Sequence, residues 1–93
     1  MKNLKLIKIR QKLDSLDDKM LLIVKKRVKL VDEVLKQKKF KKEIIDKRRI
    51  VQILKRINKK SKKIKLDPRI SNQIWKSMIN SFVKYEFRNF KKK

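Results

Sequence analysis

Residues Leu6 to Lys38 read LIKIRQKLDSLDDKMLLIVKKRVKLVDEVLKQK, and this stretch decides the fold. Apolar side chains stand at Leu6, Ile9, Leu13, Leu16, Met20 and Ile23, then at Leu30 and Val34. Steps of three and four residues keep them on one face of a helix. The row is broken twice. Arg27 stands where the next apolar residue is due after Ile23, and Lys38 where the seam would continue past Val34. Leaving a charge unpaired on a buried stripe costs roughly several kcal/mol, so these cations either snorkel to solvent or face something negative. The second option makes them candidates for an anion pocket.

No glycine occurs in the chain and no proline before Pro68, so the pattern predicts one helix over residues 4–39. At 1.5 Å per residue it would run to about 50 Å, too long to bury its stripe against two short helices of its own chain. A second protomer is the expected partner. Phe40 to Ile45 loses the period and reads as a connector. Asp46 suits the N-cap of a second helix over 47–62, with Ile50, Ile53, Leu54 and Ile57 on one face. Lys59 to Lys65 reads as a fraying end and loop. Asp67 as N-cap and Pro68 at the first helical position start a third helix over 68–88. Its stripe is Trp75, Ile79, Phe82 and Glu86, with Ile74, Met78 and Tyr85 beside it, and Arg88 to Lys93 form a solvated tail. The expectation is an all-α chain, one domain over 1–93, in which three helices, one very long, build an intertwined homodimeric bundle.

Composition narrows the chemistry. A chain of 93 residues buries only about 60–65% of its unfolded surface, which again favours oligomerisation. Without cysteine or histidine there are no disulfides, thiolate metal sites, cysteine nucleophiles or histidine bases. Lys2, Lys5 and Lys8 interrupt the apolar residues of the N-terminus, and the longest apolar run, Met20 to Val24, falls far short of the roughly 20 residues of a membrane span. A soluble cytoplasmic protein is expected. The net charge of +23 points to nucleic acid, an anionic membrane or a small anion. Lysines spread over every polar face, and the aromatics gather at helical spacing in the last third instead of forming a stacking platform. Nucleic acid is therefore set aside as the partner despite the charge, and a small anionic ligand is preferred.

Arg27 and Lys38, eleven residues apart, share a helix face to within about 20° at a separation of roughly 16 Å, so both can border one elongated pocket. Arg10 lies about 25 Å from Arg27 along the helix and is turned by roughly 100°. In an antiparallel pair of long helices, Arg10 of one protomer can reach the Arg27 and Lys38 region of the other. Asp46 and Arg49 open the second helix, whose N-terminus itself favours anions. The competing view pairs Arg27 with an acid such as Glu86 inside the bundle. A Glu86 buried among Trp75, Ile79 and Phe82 keeps its proton unless a cation sits near, and then donates a hydrogen bond to an oxygen gaining charge.

The run Arg10-Gln-Lys-Leu-Asp-Ser-Leu-Asp-Asp-Lys-Met-Leu, with Lys26-Arg27-Val28, Val34-Leu-Lys-Gln-Lys38, Asp46-Lys-Arg-Arg49 and Leu66-Asp67-Pro68, resembles the all-helical bacterial class of chorismate mutases. The resemblance covers nearly the whole chain, with one short gap before Asp46. It implies a homodimer with two equivalent sites, each completed by an arginine of the other protomer, and the rearrangement of chorismate to prephenate without any cofactor or metal. By resemblance, the other protomer's Arg10 and Arg27 hold the substrate carboxylates, and Lys38 donates to the ether oxygen and a carboxylate. Arg49, and Asp46 through its backbone, support the carboxylate end, while Glu86 is the second donor to the ether oxygen. Two positions depart from the family. Ile50 stands where the family usually has a glutamate that binds the substrate hydroxyl, and Phe82 replaces a common serine, so both become possible pocket lining. An isochorismate pyruvate lyase on the same fold is the neighbouring alternative. A non-catalytic basic helical protein that binds nucleic acid or an acidic partner is the alternative from another class.

Overall fold

The computed structural model describes residues 3–91, and over these it is all helical. Helix α1 runs Leu4–Gln37, α2 runs Lys47–Lys63 and α3 runs Pro68–Asn89, with a single 3-10 turn at Lys41–Glu43 between the first two. Among the described residues there is no strand, and no helix is long and apolar enough to cross a membrane. The chain divides into two compact units, Met1–Val31 and Asp32–Lys93.

The first unit consists of the N-terminal part of α1. Asn3 starts it: its side-chain Oδ1 accepts from the Leu6 amide at 3.0 Å, which satisfies one of the free donors of the first turn. The apolar row at Leu6, Ile9, Leu13, Leu16, Met20 and Ile23 is exposed in the single chain, with Ile23 63% accessible. A lone amphipathic helix gains its stability mostly from whatever covers that row.

The second unit holds the core. α2 packs on α3, and Ile53 and Ile57 are buried on α2 together with Leu35 and Ile44. Burying each such side chain stabilises the unit by roughly 1.5–3 kcal/mol. Ile44 is only 2% exposed although it belongs to the connector, so this segment is an anchor as well as a link. Lys59 to Lys65 differs from the expected frayed end: α2 continues in order to Lys63 because Ser61 is buried against α3. The Ser61 hydroxyl donates to the Ile57 carbonyl at 2.7 Å and lies 2.6 Å from the Ser71 hydroxyl of α3. Two small side chains let the helices approach closely, and their hydroxyls satisfy each other where a larger polar group would be stranded.

The helix ends follow from local chemistry. Asp46 caps α2 by accepting from the Arg49 amide at 3.0 Å, and Asp67 caps α3 by accepting from the Arg69 amide at 2.9 Å, with Pro68 next. Beyond α2, the Leu66 amide reaches back to the Ser61 carbonyl and the Lys65 amide to that of Lys62, the paired bonds of a Schellman ending. That ending requires a left-handed residue, and Lys65 takes it at φ 60°. With no glycine in the chain, a lysine bears the steric cost.

Candidate functional site

Three features of the second unit converge on Lys38. Leu35 is buried near the end of α1, and the Lys38 amide closes that end on the Leu35 carbonyl at 3.1 Å. From there the Lys38 ammonium donates to the Ile44 carbonyl at 3.3 Å, an acceptor held in place by the buried Ile44 side chain. It also donates to Glu86 Oε1 at 3.0 Å. Glu86 projects from α3 and is 7% exposed, so the two interrupting charges read from sequence meet as one largely buried ion pair. Periodicity singled out both residues as separate breaks in separate stripes, and the family resemblance set both at one ether oxygen, but neither gave their contact with each other.

Neighbouring contacts fix this pair. Tyr85, one residue before Glu86, donates its hydroxyl to Asp32 Oδ1 at 2.5 Å and thereby ties α3 to the end of α1. The phenol's proton is held by that carboxylate, which raises the Tyr85 pKa above its ordinary value. Nothing in the sequence marks this contact, because it joins two helices at positions 53 residues apart. On the connector, the Glu43 carboxylate accepts from the amides of Phe40 at 2.7 Å and Lys39 at 2.6 Å. These bonds, the Phe40 one first, lower the Glu43 pKa and hold the turn that carries Ile44 past Lys38.

Around the pair the surface has two characters. Lys38, Glu43, Ile45, Asp46 and Lys47 line an open cleft of about 560 Å³. Ile45, Ile50, Leu54, Ile79 and Val83, with Lys76 and Asn80, line a second cavity of about 250 Å³ whose wall is mainly apolar. Ile45 borders both, so a cation-bearing cleft adjoins an apolar wall. Such a combination suits a small molecule with an anionic group and an apolar ring. Among the described residues no group of carboxylates is arranged to hold a metal ion.

The remaining predicted residues fall as follows. Asp46 lines the cleft, with its Oδ1 engaged as the α2 cap. Arg49 is exposed in the first turn of α2, Ile50 is half-buried in the apolar wall, and Phe82 is half-buried on α3. Arg27 and Arg10 belong to the first unit, where Arg27 is half-buried and Arg10 exposed. Lys38 and Glu86 are therefore brought together by direct contact, and Asp46 shares Lys38's cleft.

A long helix with an uncovered apolar row, two shorter packed helices and a buried cation–carboxyl pair define an all-helical class of protein. The family model described as chorismate mutase type II matches residues 9–87, and the chain belongs to that family. The matched span includes every residue discussed above for the site. No curated protein and no solved structure matches the chain.

Proposed function

We propose that this protein is a chorismate mutase, an isomerase that rearranges chorismate to prephenate in phenylalanine and tyrosine biosynthesis, acting in the cytoplasm as a homodimer. The observation that carries the proposal is the buried Lys38–Glu86 pair at 3.0 Å in a chain of this family. The family match over residues 9–87 also supports taking the chain as one domain of that type. The reaction is pericyclic: one C–O bond breaks as one C–C bond forms, with no nucleophile, metal or cofactor. A chain without histidine and cysteine can run it.

Catalysis then comes from shape and electrostatics. The flexible enolpyruvyl arm has to be held over the ring, a positioning effect worth roughly several kcal/mol. Arg27 and the partner's Arg10 would hold the two carboxylates as planar forks, with Arg49 and the Asp46 backbone at the carboxylate end. Negative charge develops on the ether oxygen as the C–O bond opens. An ammonium has three N–H donors; two of those on Lys38 are taken by Ile44 and Glu86, and the third would serve that oxygen. Glu86, whose Oε1 accepts from Lys38, would hold that ammonium toward the ether oxygen. Preorganised donors of this kind lower the barrier because they need not reorient when charge appears.

The second reading is an isochorismate pyruvate lyase. It is kept by Ile50, whose own side chain has no group to read a ring hydroxyl. Offering purified protein chorismate and isochorismate in turn tests both. Prephenate from chorismate supports the mutase, salicylate and pyruvate from isochorismate support the lyase, and no turnover of either contradicts the proposal.

A further inference from the structure

We propose that the outer face of α2 is a separate binding surface for the phosphate backbone of double-stranded nucleic acid. The helix bounds are what reveal it. Nine of the seventeen residues of α2 are Lys or Arg and none is acidic. By contrast α1 has ten cations and five acids in 34 residues, and α3 has four cations in 22. A lysine bias spread evenly over the solvated faces, as the sequence alone suggests, would not concentrate in this way.

The cations also share a direction. Ile53, Ile57 and Ser61 are the buried residues of α2. At 100° per residue, Arg48, Lys55, Lys59 and Lys62 project on the opposite side, flanked by Arg56 and Lys63, and all six are exposed. They cover a rise of about 22 Å. The ion pairs Lys38–Glu86 and Arg69–Asp67 both lie outside α2, and among the described residues the six cations of this face are seen with no carboxylate partner.

Helix stability does not account for this pattern. Lys47 and Arg48 stand in a first turn that has no acid, where cations oppose the helix dipole, and Lys55–Lys59 and Lys59–Lys63 are like-charge neighbours that repel. A polyanion relieves both effects. The face presents no Trp, Phe or Leu to insert into a lipid interface and no aromatic anchor for a protein partner. A row of cations on an exposed helix instead fits regularly spaced phosphates, with binding indifferent to base sequence. This surface lies outside the proposed catalytic machinery and its function does not depend on the mutase reading.

The test is fluorescence anisotropy of the full chain with a labelled mixed-sequence duplex, titrated over a salt series. Six phosphate contacts predict a log–log salt slope near −5. The triple variant Lys55→Gln/Lys59→Gln/Lys62→Gln should make the slope shallower by roughly 2 to 3. Lys55→Arg/Lys59→Arg/Lys62→Arg should retain the parental slope, which separates charge from folding. A matched control on α1, Lys5→Gln/Lys8→Gln/Lys12→Gln, should change it by less than about 1. The proposal is overturned by an equal loss in the α1 control, by no binding at low salt, or by phosphatidylglycerol vesicles binding as tightly with the same dependence on the α2 lysines.

Discussion

Glu86 and Lys38 were both legible as anomalies, because a charge in a slot due to an apolar residue is visible in one dimension. That they contact each other was not legible: 48 residues separate them, and helical periodicity gives a direction on one helix, never a partner on another. The same limit hid the Tyr85–Asp32 bond and the Ser61–Ser71 contact, where hydropathy counts two buried serines as surface. The pair makes a prediction at this scale. Lys38→Met retains the aliphatic stem and removes the donor, so kcat should drop by roughly 10² or more while helicity by circular dichroism is kept.

At the scale of the elements, the start of α3 was the most legible boundary, because Asp67 supplies the cap and Pro68 fits a position whose amide needs no partner. The connector was the least legible. Its period is lost, yet it carries Ile44, and only the surrounding chain decides that this one side chain goes inside. Two predictions belong here. Lys65→Gly should stabilise the second unit by about 1 kcal/mol, since glycine takes the left-handed conformation without the Cβ clash, and a thermal melt should show the rise. The second concerns acid. Arg69, through its side chain first and its amide second, holds the Asp67 carboxyl below its usual range, and backbone amides do the same for Glu43. Groups with depressed folded-state values contribute stability that is complete above their unfolded pKa, near 4, and is lost as pH falls through the folded value. Denaturant melts between about pH 5 and pH 2 should therefore show a weaker pH dependence in Glu43→Gln/Asp67→Asn than in the parent. An unchanged dependence would mean that these caps do not contribute.

For the whole molecule, the uncovered row on α1 carries the case for a second protomer. Leu13, Leu16, Met20 and Ile23 are each more than half exposed, while the described core has only four buried hydrophobic residues. Burial of such a row against a second copy would offset what the small core lacks. That α1 is long was readable from the absence of any glycine or early proline; what covers its apolar row is not written on that helix alone. In the proposed homodimeric mutase each site would take Arg27 from one protomer and Arg10 from the other. Arg10→Ala and Arg27→Ala homodimers should each be nearly inactive toward chorismate. Mixed subunits rebuild one intact site per heterodimer, so random reassortment should restore about a quarter of the parental activity. The most direct measurement is thus the rate of chorismate consumption after unfolding and refolding the two variants together. Recovery to about that level is expected, and a verified heterodimer without recovery would rule out a site shared between protomers.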